Sequence, residues 1–196
     1  MTMADKYGEL EDIQLIKLFC HGDELAFETL YIRYRKNLYG FLNNMTKDNA
    51  TADDVFSETW LKVIDNLPKY RDNGKFSAWL FRVARNVFYD KCRKRKSCSE
   101  VEFNDVVLDE VIAENLPEPD REMDSEELGK WIQKGVEALP EEQKEVFLLR
   151  QQDLSFKEIA AVQECSVNTV LSRMQYALKS LRNFLSSIDN GDFAKR

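Results

Sequence analysis

Short polar and basic side chains share one side of a segment near the C-terminus, where they could contact DNA. If residues 167–185 form a helix, its outer face carries Asn168, Thr169, Ser172, Gln175, Tyr176, Lys179 and Asn183, with Arg173 on its flank. Hydroxyl, amide and basic groups bind phosphates and the base edges of the major groove. The pattern favours a DNA-reading helix; its alternative is an ordinary amphipathic hairpin with a solvated polar face.

A helix-turn-helix would place these side chains on one surface. Ser155, followed three residues later by Glu158, is a capping-box signal for the start of a short helix. A turn is predicted at residues 164–166, and Ser166 can cap the second helix. The predicted buried face of that helix comprises Val167, Val170, Leu171, Met174, Ala177, Leu178, Leu181 and Leu185, which recur at helical spacing. The two segments therefore predict a helix-turn-helix.

A second cluster of basic, amide and aromatic residues lies in the N-terminal half. A helix predicted from about Phe76 to Arg95 has an outer side with Arg82, Arg85, Asn86, Tyr89 and Arg93, and Phe81 nearby. Charges for phosphates and rings for bases suit single-stranded nucleic acid. The polar, basic loop at residues 69–75 precedes this helix and belongs to the same candidate surface. The alternative is a basic helix end that serves only solubility.

The helix before that loop has a mixed outer face. It is predicted to begin after the turn at Asp48 and to end at Pro68, with an inner face of Phe56, Trp60, Val63, Ile64 and Leu67. Its outer face would present Asp54, Glu58, Lys62 and Asp65, with Val55 and Leu61 exposed beside them. Carboxylates next to aliphatic side chains suit a protein contact, and a solvated face is the alternative.

The charge is distributed unevenly along the 196 residues. The net charge is −7, but residues 99–127 alone hold one basic and 12 acidic side chains. The flanking segments are slightly basic, so the acidic total does not argue against nucleic-acid binding by either of them. No segment resembles a membrane span or a secretory signal. We therefore expect a cytoplasmic protein.

Metal and catalytic chemistry find little support in the sequence. The four cysteines (Cys20, Cys92, Cys98 and Cys165) have no CxxC spacing, and His21 is the only histidine. Reduced structural thiols are the expectation. Neither a thiol–histidine pair nor a glycine-rich phosphate loop is evident. The sequence predicts no enzyme, no cofactor and no small-molecule substrate.

The helical patterns predict an all-α chain of two small domains. Residues 1–96 form the first domain, and residues 97–124 form an acidic, flexible linker that lacks periodicity. Residues 125–188 form a second domain of four helices that includes the helix-turn-helix, and residues 189–196 form a tail. Pro140 is predicted at the first position of a helix within the second domain.

With these motifs in order, the chain resembles the extracytoplasmic-function (ECF) group of bacterial sigma factors over nearly its whole length. Four segments support the resemblance: GDELAFETLYIRYRKNLYGFL, ATADDVFSETWLKVI, KFSAWLFRVARNVFYDKCRKRK and LPEEQKEVFLLRQQDLSFKEIAAVQECSVNTVLSRMQYALKSL. They are similar, respectively, to the opening helices of sigma domain two, its polymerase-binding helix, its promoter −10 helix, and domain four, which reads the −35 element.

The resemblance implies three sets of site residues and a set of partners. Polymerase binding falls on Asp54, Val55, Glu58, Leu61 and Lys62; −10 binding on Arg71, Asp72, Asn73, Lys75, Arg82, Arg85, Asn86, Tyr89 and Arg93; and −35 binding on Ser155, Asn168, Thr169, Ser172, Arg173, Tyr176 and Lys179. The implied partners are core RNA polymerase through its β′ and β subunits, promoter DNA, and an anti-sigma factor. The implied activity is promoter-specific transcription initiation.

The chain departs from the family pattern at several of these segments. Ser57 and Thr59 replace a usual Gln and Val, and Glu164 replaces the usual turn glycine. A non-glycine residue at positive φ costs about 1 kcal/mol, so a different or strained turn is expected. Leu171, Tyr176 and Leu178 replace commonly basic residues, which predicts a shallower salt dependence of duplex binding.

Two other classes of protein fit the residues less fully. An autonomous helix-turn-helix regulator would bind duplex DNA without polymerase, although the first domain would then have no evident use. A protein-sequestering adaptor would use the acidic segment and the helix faces, and it would show no salt-dependent binding of DNA.

Overall fold

The computed structural model describes residues 7–46, 48–71, 75–96 and 125–189. The regular elements within these ranges are helices: α1 (Asp12–Cys20), α2 (Glu24–Met45), α3 (Asn49–Asn66), a 3-10 turn (Leu67–Lys69), α4 (Phe76–Lys96), α5 (Ser125–Glu137), α6 (Glu141–Arg150), α7 (Phe156–Gln163) and α8 (Val167–Asp189). The all-α prediction is confirmed. The predicted linker at 97–124 lies outside the described residues, as does the tail after residue 189.

Local capping signals set several helix starts. The Asp23 side chain accepts a hydrogen bond from the backbone N–H of Leu25, and Asp48 accepts one from that of Thr51 at 2.7 Å. The predicted capping box of Ser155 and Glu158 forms in both directions at the start of α7. Pro140 lies one position earlier than predicted, as the N-cap residue of α6. Its extended ψ of 143° ends the preceding turn before the helix begins.

Domain two is formed by α1–α4 around an aromatic core. The rings of Tyr31 and Trp60 lie 5.0 Å apart and those of Phe41 and Phe81 5.2 Å apart, in edge-to-face arrangements. These contacts join α2 to α3 and to α4. They fix the relative orientation of α3 and α4, the two helices whose outer faces bear the predicted polymerase and −10 residues.

Three predictions about which side chains domain two buries are wrong. Val55 and Phe81, expected on outer faces, are buried, whereas Ile64, expected inside, is 36% exposed. The buried face of α3 is centred on Ala52, Val55, Thr59 and Val63 at helical spacing, which turns Ile64 to its edge. Phe81 is buried because it packs on Phe41 of α2.

Domain four is formed by α5–α8, with α8 packed against the other three helices. Val170, Ala177 and Leu181 of α8 are buried as predicted. Gly135 permits the close crossing of α5 and α8, because a Cβ atom there would lie 2.9 Å from Leu181 Cδ2 and 3.0 Å from Phe184.

Three apolar residues of α8 that were predicted to be buried are exposed. Val167, Leu171 and Leu178 are 39%, 38% and 45% exposed, respectively. The contact face of α8 is narrow and centred on Val170, Ala177 and Leu181, so the flanking aliphatic positions lie beside it. This gives the outer surface of α8 an apolar component between its polar residues.

The two domains pack against each other. Helix α4 contacts α7, and α2 contacts α6, so the buried residues of both domains form one contiguous apolar cluster. The covered side of domain two is therefore the side formed by α2 and α4. The outer face of α3 lies away from these two interdomain contacts.

Candidate polymerase and promoter surfaces

The outer face of α3 forms a ladder of alternating charges with α4. Lys91 Nζ lies 3.2 Å from a carboxylate oxygen of Asp54 and 3.7 Å from one of Glu58, and Lys62 Nζ lies 3.4 Å from Glu58 and 3.9 Å from Asp90. These side chains keep partial exposure, up to 68% for Asp54, so the pairs add little stability. Their main effect is to hold the carboxylates at fixed positions on the surface.

Leu61 stands in this charged ladder as an exposed aliphatic residue. Its side chain is 64% exposed, and Ile64 is exposed one turn further along α3. Charged groups around an exposed aliphatic pair are suited to a protein interface with an apolar centre and a polar rim. Of the five predicted polymerase residues, Asp54, Glu58, Leu61 and Lys62 are accessible. Val55 is not, because its side chain is buried in the domain core.

A cavity of about 680 Å³ opens between α3, the 3-10 turn and α4. Its lining combines amide, aromatic and basic groups: Lys62, Asn66, Lys69, Tyr70, Arg71, Trp79, Arg82, Val83, Asn86, Asp90 and Glu164. Amides can pair with base edges, aromatic rings can stack on bases, and basic groups can hold phosphates. The cavity brings the predicted −10 residues Arg71, Arg82 and Asn86 together. Asp72 and Asn73 were predicted for the same site and lie outside the described residues.

The remaining predicted −10 residues divide into an open and a covered group. Arg93 is exposed and pairs with Asp90, and Arg82 and Asn86 are exposed on the same side of α4. Arg85 and Tyr89 are partly buried, and Arg85 pairs with Glu145 of domain four. Lys75 is exposed, and its Nζ donates to the carbonyl of Asp153 in domain four at 3.4 Å.

Arg85 contacts a buried carboxylate of the other domain. Its Nε lies 2.8 Å from Oε1 of Glu145, a fully buried side chain of α6. The contact is an ion pair without an aligned hydrogen bond. Gln163 of α7 donates its side-chain N–H to the other Glu145 oxygen at 2.9 Å. Burial raises the pKa of the Glu145 carboxyl, and the positive charge of Arg85 opposes this effect only in part.

Tyr89 lies next to this ion pair. The Arg85 guanidinium carbon is 4.6 Å from the centre of the Tyr89 ring, within the range of a cation–π contact. Burial, and then the negative charge of Glu145, raises the pKa of the Tyr89 hydroxyl. In this structure Arg85 is occupied by its contact with domain four, and Tyr89 packs against Arg85.

The predicted −35 residues lie on the helix-turn-helix, and several of them have structural partners. Asn168, Ser172 and Lys179 are exposed on α8, and Thr169 and Tyr176 are partly exposed. Ser155 is exposed, and its hydroxyl takes part in the capping box with Glu158. Thr169 contacts Ser166, whose hydroxyl accepts the Thr169 N–H at 3.0 Å and so caps α8 as predicted.

Arg173 braces domain four internally. Its guanidinium donates to the side-chain oxygen of Gln163 at 3.0 Å and forms an ion pair with Glu142 of α6. With 21% of its side chain exposed, Arg173 joins α8 to both α6 and α7. The arginine that the sequence suggested for DNA is therefore also part of the packing of the helix-turn-helix.

The sequence left a different or a strained turn between α7 and α8 as alternatives, and the structure has the strained one. Glu164 is in the left-handed region, with φ 55° and ψ 40°. The backbone N–H of Cys165 donates to the carbonyl of Ala160 and satisfies the end of α7. Glu164 of domain four also lines the cavity that contains Asn86 and Arg82 of domain two.

Sequence reasoning missed the residues that join the two domains. Glu145, Gln163 and the cavity position of Glu164 were not predicted. Glu145 did offer a signal, since it precedes the apolar run Val146–Leu149 on a predicted helix and could share its buried face. Its partner could not be chosen from the sequence, because many basic residues were available.

Two family descriptions match segments of the chain. The family description Sigma-70 region 2 matches residues 30–98, and Sigma-70, region 4 matches residues 130–181. The protein is therefore of the sigma-70 class, with a region 2 domain and a region 4 domain in that order.

Full-length relatives narrow the class to one family. The ECF RNA polymerase sigma-E factors of Salmonella typhimurium and Escherichia coli K12 are each 31% identical over 188 residues, covering 89% of this chain and 94% of theirs. The sigma-H factor of Pseudomonas aeruginosa is 28% identical over 91% of this chain and 95% of its own. The chain belongs to the ECF RNA polymerase sigma factors.

Two solved structures share the fold. The sigma factor RpoE in complex with the anti-sigma factor NepR from Bartonella quintana has a TM-score of 0.63 at 23% identity, covering 82% of this chain and 96% of its own. CnrH in complex with the cytosolic domain of CnrY has a TM-score of 0.64 at 23% identity, covering 90% and 97%. Both alignments extend over most of both chains.

The described residues contain neither a metal-like cluster nor a membrane-like helix. Within ranges 7–46, 48–71, 75–96 and 125–189, His, Cys, Asp and Glu side chains do not gather in threes at metal-binding distance. None of the helices seen there is long and apolar enough to cross a membrane. None of the cysteines in these ranges, Cys20, Cys92 and Cys165, is in a disulfide.

Proposed function

We propose that this sigma factor binds core polymerase through α3, captures the −10 element at α4 and reads the −35 element with α8. The cavity between α3 and α4 supports the proposal most strongly. It places the amide of Asn86, the ring of Trp79 and the basic groups of Arg71 and Arg82 within one space. That combination suits a base removed from the stack together with its phosphates.

The accessible ridge of α3 supports the proposed polymerase contact. Asp54, Glu58, Leu61 and Lys62 form the contact surface for the β′ and β subunits, with Leu61 as its apolar centre. Val55 supports this surface from beneath. The ridge and the cavity belong to neighbouring helices, so polymerase would hold domain two beside the strand that it captures.

Domain four supplies the second promoter contact. Asn168, Ser172 and Lys179 are the exposed side chains of α8 proposed to contact the −35 duplex, with Thr169, Tyr176 and Ser155 at the edge of that surface. Exposed Leu171 and Leu178 reduce the number of available phosphate contacts, which implies a shallow salt dependence.

The remaining parts of the proposal concern regulation and location. By analogy with RpoE and CnrH, which were solved with anti-sigma partners, we infer control by an anti-sigma factor. The proposed boundaries are 1–96 for domain two, 97–124 for the linker, 125–188 for domain four and 189–196 for the tail. The protein would act in the cytoplasm as a non-catalytic initiation subunit, and no enzyme family emerges from the comparisons.

Run-off transcription tests the proposal. Purified bacterial core polymerase is incubated with genomic promoter fragments, with and without this protein. Discrete start sites that require the protein are expected, and aligning them gives both promoter elements. Absence of stimulation together with tight duplex binding by the protein alone would instead establish an autonomous regulator.

The Asn86→Ala variant tests the cavity within the same assay. Loss of the amide should reduce discrimination between matched and altered −10 sequences roughly tenfold, because a base-edge hydrogen bond is removed. Binding to core polymerase should not change. Asn43→Ala, at an exposed asparagine of α2, is the matched control. Equal discrimination by wild type and Asn86→Ala would remove the base-reading role of Asn86.

A further inference from the structure

Domain four covers the part of domain two that the proposed function assigns to −10 DNA. Helix α7 packs on α4, and Glu145 of α6 pairs with Arg85. Only 19% of the Arg85 side chain is exposed. A nucleic-acid strand cannot pair with Arg85 while domain four remains in this position.

The covering contact uses the chemistry that a phosphate would use. The Glu145 carboxylate presents an anionic oxygen to Arg85 at 2.8 Å, as a phosphate oxygen would. Gln163 fixes that carboxylate from behind, and Arg173 and Glu142 extend the network to α8 and the start of α6. Glu145 therefore competes with DNA for the same guanidinium.

Two cavities along the domain boundary extend this cover. Glu164 lines the cavity of Asn86 and Arg82, so an acidic residue of the helix-turn-helix stands beside the proposed base-binding groups. A second cavity of about 520 Å³ lies between Arg71, Lys75 and Arg82 on one side and Ser155, Glu158 and Ala161 on the other. It brings Ser155, a predicted −35 residue, into the boundary as well.

We infer that the free sigma factor is self-inhibited by a closed state, in which Glu145 occupies Arg85 and domain four masks the −10 surface. The inference rests on the proposed function for the DNA role of Arg85 and Tyr89. Asp54, Glu58 and Leu61 of the α3 ridge lie outside the interdomain contacts, so polymerase can bind the closed form first. Separation of the domains then exposes Arg85 and completes the −10 surface.

The Glu145→Gln variant tests the closed state in the full-length protein. It removes the charge that pairs with Arg85 and leaves a side chain of the same shape that can still contact Gln163. An unpaired arginine at the boundary favours separation, because water solvates it in the open form. Glu141→Gln, an exposed position at the start of the same helix, is the control.

Two measurements on free protein follow the opening. Small-angle X-ray scattering should give a larger radius of gyration for Glu145→Gln than for wild type or Glu141→Gln. Binding of a short fluorescein-labelled oligothymidylate should tighten roughly tenfold, the effect of losing one charge-assisted contact that held the closed form. An unchanged radius and an unchanged affinity in a folded Glu145→Gln protein would overturn the inference. So would an extended wild-type protein.

A second pair of variants does not depend on the buried carboxylate. Ala161 is exposed on α7 and lines the cavity shared with Arg71, Lys75 and Arg82. Ala161→Arg adds a like charge there and should open the protein, whereas Ala161→Glu adds an opposite charge and should keep it closed. Equal radii for these two variants would contradict the inference even if Glu145→Gln failed to fold.

The outcomes separate the closed state from the proposed function. If the radius of gyration changes as expected but the protein does not stimulate run-off transcription, the closed state is supported and the proposed function is wrong. If transcription depends on the protein but no variant changes the radius or the oligothymidylate affinity, the proposed function stands and self-inhibition fails.

Discussion

The outer faces of α3 and α4 are neighbours on one domain, yet their surroundings differ. The α3 ridge carries charges of both signs that pair within domain two, and its carboxylates and Leu61 remain accessible. The α4 face is mainly basic, and Arg85 is paired with a carboxylate from domain four. The charges on α3 are paired within domain two. The excess positive charge on α4 attracts an acidic side chain from domain four.

This difference implies an order of events for an ECF sigma factor. The surface proposed for polymerase is presented in the free protein, whereas Arg85 of the surface proposed for −10 DNA is withheld. Four tests of this contrast follow, from the largest expected effect to the smallest.

Val55→Asp should unfold domain two, and Leu61→Asp should not. Val55 is completely buried, so an unpaired carboxylate there should lower the free energy of unfolding by about 3 kcal/mol or more. Leu61 is 64% exposed, and its substitution should change stability by no more than about 0.5 kcal/mol while weakening polymerase binding. Urea denaturation measures both variants. Similar losses of stability would show that the assigned inner and outer sides of α3 are wrong.

Arg173→Ala should weaken the contact of domain four with α4, although Arg173 itself lies within domain four. The guanidinium joins Glu142 and Gln163, and Gln163 in turn holds Glu145. Its loss should destabilise domain four by about 1–3 kcal/mol and weaken −35 duplex contacts. Thermal unfolding and footprinting on polymerase-bound promoter DNA are the measurements. Arg182→Ala, on the same helix, serves for comparison; unaltered stability and footprints for Arg173→Ala would contradict both roles.

Glu58→Arg should reduce affinity for core polymerase without opening the closed form. The reversed charge faces Lys62 and Lys91 and disturbs the ladder on α3. A roughly tenfold loss of affinity is expected, equivalent to about 1.4 kcal/mol. Fluorescence anisotropy with labelled protein measures it, and Glu28→Arg, exposed on α2, is the control. Equal affinity for wild type and Glu58→Arg would remove the ridge from the polymerase site.

Glu164→Gly should have the smallest effect on stability, and it changes a residue of domain four at the boundary with domain two. Glycine adopts φ 55° without the cost that a side chain incurs, so domain four should gain about 0.5–1 kcal/mol in thermal unfolding. Glu164→Ala separates the two effects, since it removes the carboxylate but keeps a Cβ atom at positive φ. If Glu164→Ala gains as much stability as Glu164→Gly, the gain comes from removing the carboxylate charge and not from relieving backbone strain.

The sequence was sufficient for the features that depend on nearby residues. The capping box of Ser155 and Glu158 and the cap by Ser166 are both local, and the structure confirms them. The order of the helices also follows from local apolar spacing and from the breaks between segments.

The predictions that failed depended on contacts between distant segments. Apolar spacing placed Val55 outside and Leu178 inside, because it identifies a stripe without showing how wide a sector the neighbouring helices cover. Arg85 was correctly placed on the outer side of α4, but its partner Glu145 lies in another domain. No periodic pattern within α4 could indicate that partner.

The contact between Arg85 and Glu145 also affects how the protein responds to its own abundance. Both residues belong to one chain, so their encounter does not depend on the concentration of the protein. The closed fraction should therefore be the same in a cell with few copies as in one with many. A separate inhibitor is diluted or outnumbered as the sigma factor accumulates, whereas this contact is supplied with every copy that is synthesised.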